Sequence, residues 1–250
     1  MLLTLLACSA IDDLSDKVDG LTNTLVMEGI YVGVEPPTSE LVDLSGTDFD
    51  KGAFVTALLA DAASVTDLAN APVSGADVTL RSEANGETPL GDDGDGKYTA
   101  TGDDGLTYAD GDPVVLSVQL DGEHKASIVA PPAVQSNIPS EHDAGQPLAI
   151  SAGDPSLSTL FVVVVNAQSG NVTFDNRPGS IEEVYDLTHG GGALAVEVPG
   201  SAFPDQTLYV VGVAGMNLTP AEGLTELNTA LSAFLAGKFS FYPVSTLPVP

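Results

Sequence analysis

The sequence predicts an all-β protein made of two tandem antiparallel β-sandwich domains, with one short helix in the second domain. Three observations lead to this fold class. Apolar and polar residues alternate along short segments, turns rich in glycine and aspartate separate these segments, and 43% of the residues are hydrophobic against 17% charged. This composition supports packed cores. A chain of 250 residues is long enough for about two domains.

Acidic residues far outnumber basic ones: 35 Asp and Glu stand against 7 Lys and Arg, which gives a formal net charge of -28. A field of this sign repels phosphate backbones and anionic lipid surfaces, so it argues against nucleic acid as a partner. Either a solvated surface that keeps an exported protein soluble or binding of a cation or cationic partner explains the charge. The solvated surface is the simpler interpretation.

The only cysteine, Cys8, follows a short apolar run that ends in Leu5-Leu6-Ala7. This tetrapeptide resembles a bacterial lipobox, in which the cysteine is acylated and becomes the mature N-terminus. The resemblance implies an extracytoplasmic lipoprotein of the cell envelope, anchored at the outer membrane or cell surface through Cys8. The apolar run from residue 2 to 7 is shorter than the ~7 to 15 residues of a signal-peptide core. A buried or incidental cysteine is the alternative.

Residues 1–25 are interpreted as the remnant of a lipoprotein signal followed by a tether. Ile11, Leu14, Val18, Leu21 and Leu25 are spaced by three and four, which is the pattern of one apolar helix stripe. Gly20 interrupts this stripe, and two heptads are too few to hold a coiled coil. A flexible tether is therefore favoured over a helical stalk.

Residues 26–132 are predicted to form the first sandwich. Val78 and Leu80 alternate with polar residues, and so do the apolar residues between Val114 and Leu120. This period of two is typical of half-buried strands. The segments Asn85-Gly86 and 91–96 supply turns, because glycine adopts positive φ and aspartate accepts hydrogen bonds from nearby backbone N–H groups.

The order of motifs in this region carries a resemblance. The segment Pro72-Val73-Ser74-Gly75-Ala76-Asp77-Val78-Thr79-Leu80 is followed by Gly96-Lys97-Tyr98 and then by the strand from Val114 to Leu120. This order resembles carboxypeptidase regulatory-like and related bacterial immunoglobulin-like modules over about residues 71–132. The resemblance implies a non-catalytic spacer or binding unit.

Residues 133–148 are predicted to be a linker, because the stretch is polar, contains proline and lacks periodicity. Residues 149–250 are predicted to form the second sandwich. Its expected strands are 160–165, 172–174, 194–198 and 208–213, with a turn at Gln168-Ser169-Gly170. The pair of regions resembles the tandem immunoglobulin-like arrangement of surface lipoproteins.

The segment 220–237 is predicted to contain the one helix. Leu224, Leu227, Leu231 and Leu235 have helical spacing, and Gly237 would end the helix. A final strand is expected at 239–244.

The sequence shows no motif that predicts catalysis. His124, His142 and His189 have no metal-ligand spacing, and each is expected in an exposed loop. The segment His189-Gly190-Gly191-Gly192 resembles an oxyanion-hole motif, but no Gly-x-Ser-x-Gly accompanies it, so a flexible glycine turn is the preferred interpretation. No nucleotide cofactor is indicated, because no phosphate-binding glycine loop occurs.

The densest acidic cluster consists of Asp92, Asp93 and Asp95, with Asp103 and Asp104 following. Acidic loops of this kind can supply the oxygen ligands of calcium. The register differs from that of an EF-hand loop, so a solvated hairpin tip is the preferred interpretation and calcium is the alternative.

The predicted function is that of a membrane-anchored structural or binding module that is not an enzyme. Its expected partners are the membrane, through the lipid, and a protein or polysaccharide of the cell envelope. One alternative is a polysaccharide-binding accessory or a cryptic carbohydrate-active hydrolase. Another is a surface spacer that calcium stiffens. The sequence does not predict the oligomeric state.

Overall fold

A computed structural model of the chain describes residues 24–247, except residues 38, 44, 46, 47, 63, 65–67, 69, 179 and 180. The described part is mainly β-sheet, with one α-helix. The prediction of a mainly β protein with one short helix is therefore confirmed. Cys8 and the apolar stripe from Ile11 to Leu21 lie outside the described residues.

The elements follow one another along the whole described chain. The strands are β1 (Leu25–Val34), β2 (Ala53–Asp61), β3 (Asp77–Ser82), β4 (Gly86–Pro89), β5 (Gly91–Gly94), β6 (Lys97–Thr101), β7 (Pro113–Gln119), β8 (Glu123–Val129), β9 (Leu148–Ser151), β10 (Thr159–Asn166), β11 (Val172–Asp175), β12 (Ala195–Val198), β13 (Leu208–Leu218), β14 (Leu224–Thr225) and β15 (Ala233–Ser245), and the helix is α1 (Ile181–Gly190).

One eight-stranded sheet runs through both predicted regions, in the order β11-β10-β13-β15-β1-β2-β6-β5. Its centre is the pairing of β1 with β15, which are parallel, whereas the other neighbours in this sheet are antiparallel. In this pairing Glu28 lies opposite Ala233, and Val34 lies opposite Phe239. The first and last strands of the described chain thus join its two halves in one sheet.

Both faces of the central strands are covered. All ten residues of β1 are buried, as expected for a strand that pairs in parallel in the middle of a sheet. The sequence of β1 is accordingly an almost continuous run of apolar residues and glycine, interrupted only by Glu28.

A five-stranded sheet, in the order β14-β8-β7-β3-β4, packs on one half of the large sheet. Val78, Leu80 and Leu116 point inward from it and contact Tyr31 and Tyr98 in one core cluster. The alternation in β3 and β7 that predicted half-buried strands is confirmed, because the intervening residues face outward.

A two-stranded sheet of β9 and β12 accompanies the other half of the large sheet. Ile150 and Val198 share a second core cluster with Val162 of β10 and Val211 of β13. Strand β15 contributes to both clusters, with Phe234 in the first and Val244 in the second. The predicted strands 160–165, 172–174, 194–198 and 208–213 coincide with β10 to β13 within a few residues.

The opposite face of the large sheet carries a third apolar cluster. Helix α1 contributes Val184 and Leu187 to it, and the segment before β2 contributes Val42 and Phe49. The ring of Phe49 packs edge-on against Phe239, with a centroid distance of 5.1 Å. This face is therefore covered by irregular chain and a helix.

The predicted helix at 220–237 is wrong. Leu224 lies in β14, and β15 begins at Ala233. Between them Glu226 has a φ of 54°, in the left-handed region, which interrupts a right-handed helix. The side chain of Asn228 accepts hydrogen bonds from the N–H groups of Ala230 and Leu231. The residues from Ala233 onward then pair with β1 as a strand.

The start of the first strand and the position of the helix also differ from the prediction. Leu25 belongs to β1 and is buried, so it is not part of the tether. The helix lies at Ile181–Gly190, outside the segment 220–237 in which it was predicted.

Candidate functional site

A groove of about 330 Å³ lies on the outer face of the five-stranded sheet. This volume is at the lower end of the range of roughly 300 to 1,000 Å³ for small-molecule sites. Strands β3, β4, β7 and β8 supply its polar side chains, which are Asp77, Thr79, Arg81, Glu87, Ser117, Gln119 and Glu123.

The groove exists because short side chains lie among long ones. Ser117 and Thr79 are direct neighbours across β7 and β3, and Ser117 is only 8% exposed although it points away from the core. The longer side chain of Arg81 lies at one end of the groove along the strands, and Gln119 and Glu123 lie at the other end. The alternation of the strands places all of these side chains on one face.

Two ion pairs flank the floor of the groove. The Arg81 guanidinium contacts the Glu87 carboxylate at 2.6 Å, and the Lys125 ammonium contacts the Glu123 carboxylate at 2.7 Å. The Glu87 carboxylate raises the pKa of Arg81. These pairs offset two of the carboxylates at the groove, and Asp77 adds a third carboxylate to the lining.

The uncharged groups of the groove are free to bind a ligand. Among the residues that the structure describes, the side chains of Thr79, Ser117 and Gln119 have no hydrogen-bond partner in the protein. Each hydroxyl can donate one hydrogen bond and accept others, and the amide can do both. The floor therefore offers donors and acceptors side by side.

A second unusual group is Glu28 in the centre of β1. The residue is 7% exposed, and its Oε1 has no hydrogen-bond partner within the described chain. Its neighbours across the sheet are Leu58 and Ala233. Burial in this apolar setting raises the pKa of Glu28 to about 8, because desolvation disfavours the ionised carboxylate.

Two tyrosines lie against each other near the start of β7. The rings of Tyr31 and Tyr108 are 4.9 Å apart, and their hydroxyls donate to the carbonyl oxygens of Thr107 and Pro131. Burial raises the pKa of Tyr31 to about 12 and raises that of Tyr108 as well. Both hydroxyls therefore stay protonated, and their hydrogen bonds fix the chain at Thr107 and Pro131. This role is structural.

The predicted acidic cluster lies around the β5–β6 hairpin. Asp92 accepts from the N–H groups of Gly75 and Gly94. Asp93 accepts from the Thr99 hydroxyl and contacts Lys97 at 3.3 Å. Asp95 has a φ of 51° and belongs to the tight turn. The carboxylates of Asp92 and Asp93 thus both accept hydrogen bonds from other groups of the protein.

The remaining two acidic residues of the prediction follow β6. Asp103 pairs with Lys51 at 2.6 Å, and Asp104 accepts from the backbone N–H of Thr101 to form a capping box. Within the described residues, no group of three or more His, Cys, Asp or Glu side chains could hold a metal ion. Calcium binding stays the untested alternative to a solvated hairpin tip.

The three histidines do not come together. His124 lies in β8 and bonds to the carbonyl of Glu226. His142 bonds to the carbonyl of Gln146. His189 lies in the last turn of α1 and stacks on Tyr185 with a centroid distance of 4.0 Å. The expectation of loop positions is thus wrong for His124 and His189.

The glycine-rich segment after His189 is the end of a helix. Gly190 is the last residue of α1, and Gly191 has a φ of 76°. Glycine is favoured in this left-handed position because it has no Cβ. The segment turns the chain toward β12.

The chain matches no protein-family model and no curated protein. In the described part of the chain, no helix has the length and apolar character needed to cross a membrane.

Sequence reasoning missed both the groove and Glu28. The signal for Glu28 was present, because it is the one charged residue in the apolar run of β1. The groove left no signal, since it depends on which strands are neighbours.

Proposed function

We propose that this chain is a lipid-anchored, extracytoplasmic module of the cell envelope that binds a partner and does not catalyse a reaction. The observation that carries the proposal is the polar groove on the outer face of the five-stranded sheet, whose inner face is packed. A rigid sheet holds the groove residues in place, and the strands can present them without further ordering.

The anchor is supported by the lipobox-like residues that end at Cys8. An acylated Cys8 lies 17 residues before Leu25, the start of β1 (25 minus 8). A tether of this length would separate the folded part from the membrane surface. We place the protein at the outer membrane or cell surface.

The architecture is proposed to derive from two tandem immunoglobulin-like sandwiches that share one sheet. Support comes from the two separate core clusters on one face of the large sheet. One lies beneath the five-stranded sheet and the other includes β9 and β12. Residues 133–148 would then connect the two modules.

The expected partner is a protein or polysaccharide of the envelope. A net charge of -28 repels nucleic acid and anionic surfaces. The two ion pairs at the groove weaken this repulsion locally.

Mass spectrometry of the mature N-terminus tests the anchor. The protein is expressed in a bacterium that has lipoprotein-processing enzymes, and the membrane fraction is isolated. We expect an N-terminal Cys8 that carries acyl chains, and we expect Cys8→Ser to be unprocessed and unacylated. A wild-type chain that begins with Met1 and carries an unmodified Cys8 would contradict the proposal.

A further inference from the structure

We propose that the groove of the five-stranded sheet binds a short segment of a neutral glycan. This inference rests on the proposed binding function and names the class of its ligand. The groove sits on the face of a sheet whose strands β3, β7 and β8 are already paired on both sides. A ligand there contacts side chains, so it cannot bind as an added strand.

The lining groups match a polyhydroxylated ligand. Sugar hydroxyls both donate and accept hydrogen bonds, and the groove offers groups that do the same. Ser117 and Thr79 form the floor, and Gln119 lies beside them. None of these three side chains has a partner within the described chain, so a ligand gains their hydrogen bonds without displacing a protein contact.

The charges of the groove select against anionic ligands. Asp77, Glu87 and Glu123 would repel an anionic chain, and Glu87 and Glu123 each already have a cationic partner. Arg81 and Lys125 are two of the seven basic residues of the protein, and both lie on this face. A polycation would have to compete with them for the Glu87 and Glu123 carboxylates, whereas a neutral ligand leaves both ion pairs intact.

The affinity of one groove is expected to be weak. Among the described residues, none of those lining the groove is aromatic, so recognition relies on hydrogen bonds that water also offers. Dissociation constants in the millimolar range are expected for an isolated protein. Many lipid-anchored copies on one surface would bind a long glycan with much higher avidity.

The test is NMR of the full chain in detergent micelles, titrated with maltohexaose, cellohexaose, laminarihexaose and chitohexaose. Hexagalacturonate and hexalysine serve as charged probes. We expect at least one neutral hexaose to shift backbone amides of β3 and β7, with stronger binding than either charged probe.

Two variants locate the binding. Ser117→Gln fills the floor and is expected to weaken binding at least tenfold. Ser127→Gln adds the same side chain on the outer face of β8, outside the groove residues, and is expected to bind as the wild type does. Unchanged amide shifts elsewhere confirm that each variant is folded.

Three results would overturn the inference: no neutral hexaose shifts β3 or β7, Ser117→Gln binds as well as the wild type, or hexalysine binds most strongly. Mass spectrometry of the same preparation separates this inference from the anchor. An acylated Cys8 without glycan binding rejects the groove ligand alone, and glycan binding with an unmodified Cys8 rejects the anchor alone.

Discussion

Gly33 of β1 lies directly beneath the ring of Tyr108. A Cβ atom at residue 33 would overlap with Cβ and with the ring atom Cγ of Tyr108. The position of the ring is also fixed by a hydrogen bond, because the Tyr108 hydroxyl donates to the carbonyl of Pro131 at 2.7 Å. A glycine in the central strand is thus required by close packing.

Gly33→Ala is expected to destabilise the protein by about 1 to 3 kcal/mol, the usual cost of overpacking a core. Urea unfolding monitored by circular dichroism measures this change. Gly122→Ala is the matched control, because a Cβ there meets no atom within 4 Å. Equal stability of the two variants would show that the Tyr108 ring moves aside at little cost.

Glu28 predicts a specific pH dependence of stability. Its pKa is about 8 in the folded protein and 4.5 ordinarily. Between these values the folded state holds a proton that the unfolded state has released, so stability falls as the pH rises. The linkage slope is about 1.4 kcal/mol per pH unit for one proton.

Glu28→Gln removes this proton linkage. The stability of the variant relative to the wild type is expected to rise steadily from pH 5 to pH 8, as measured by urea unfolding at each pH. Glu123→Gln, at an exposed position, controls for the loss of one carboxylate. Parallel stability curves for Glu28→Gln and the wild type would contradict the prediction.

Tyr98 joins β6 to the segment before β3. Its buried hydroxyl donates to the carbonyl of Val73 at 2.9 Å and accepts from the N–H of Ala76 at 3.0 Å. Tyr98→Phe leaves both backbone groups unpaired, so a loss of about 1 to 3 kcal/mol is expected. Tyr242→Phe is the control, since the Tyr242 hydroxyl has no hydrogen bond among the described residues. Thermal unfolding that is equal for both variants would refute the role of Tyr98.

Calcium is expected to leave stability unchanged. Asp92, Asp93 and Asp103 already accept hydrogen bonds or ion pairs from protein groups, and calcium would have to replace these donors. Thermal melts in 5 mM CaCl₂ and in EDTA should therefore superimpose, because only a ligand that binds the folded state raises its stability. A higher melting temperature in calcium would restore the spacer hypothesis.

The strands could be predicted from sequence because their signal is local. The alternation in β3 and β7 and the turn at Asn85-Gly86, where Gly86 has a φ of 67°, are visible in a few consecutive residues. The shared sheet could not be predicted in this way, since the pairing of β1 with β15 depends on residues far apart in sequence.

The helix was misplaced for the same reason. Leu227, Leu231 and Leu235 have helical spacing, but they are buried in three different core clusters. The long-range pairing of β15 overrides the local pattern. The groove likewise depends on strand order, because Ser117 forms its floor only when β3 and β8 lie on either side of β7.

The parallel pairing at the centre of the large sheet has a consequence for how the protein is made. The N–H of Met27 donates to the Ser232 hydroxyl, 205 residues further along the chain. During synthesis, the apolar edge of β1 has no partner on that side until almost all of the described chain has emerged. Folding is therefore expected to be slow, and unfinished chains should depend on chaperones to keep this edge from aggregating.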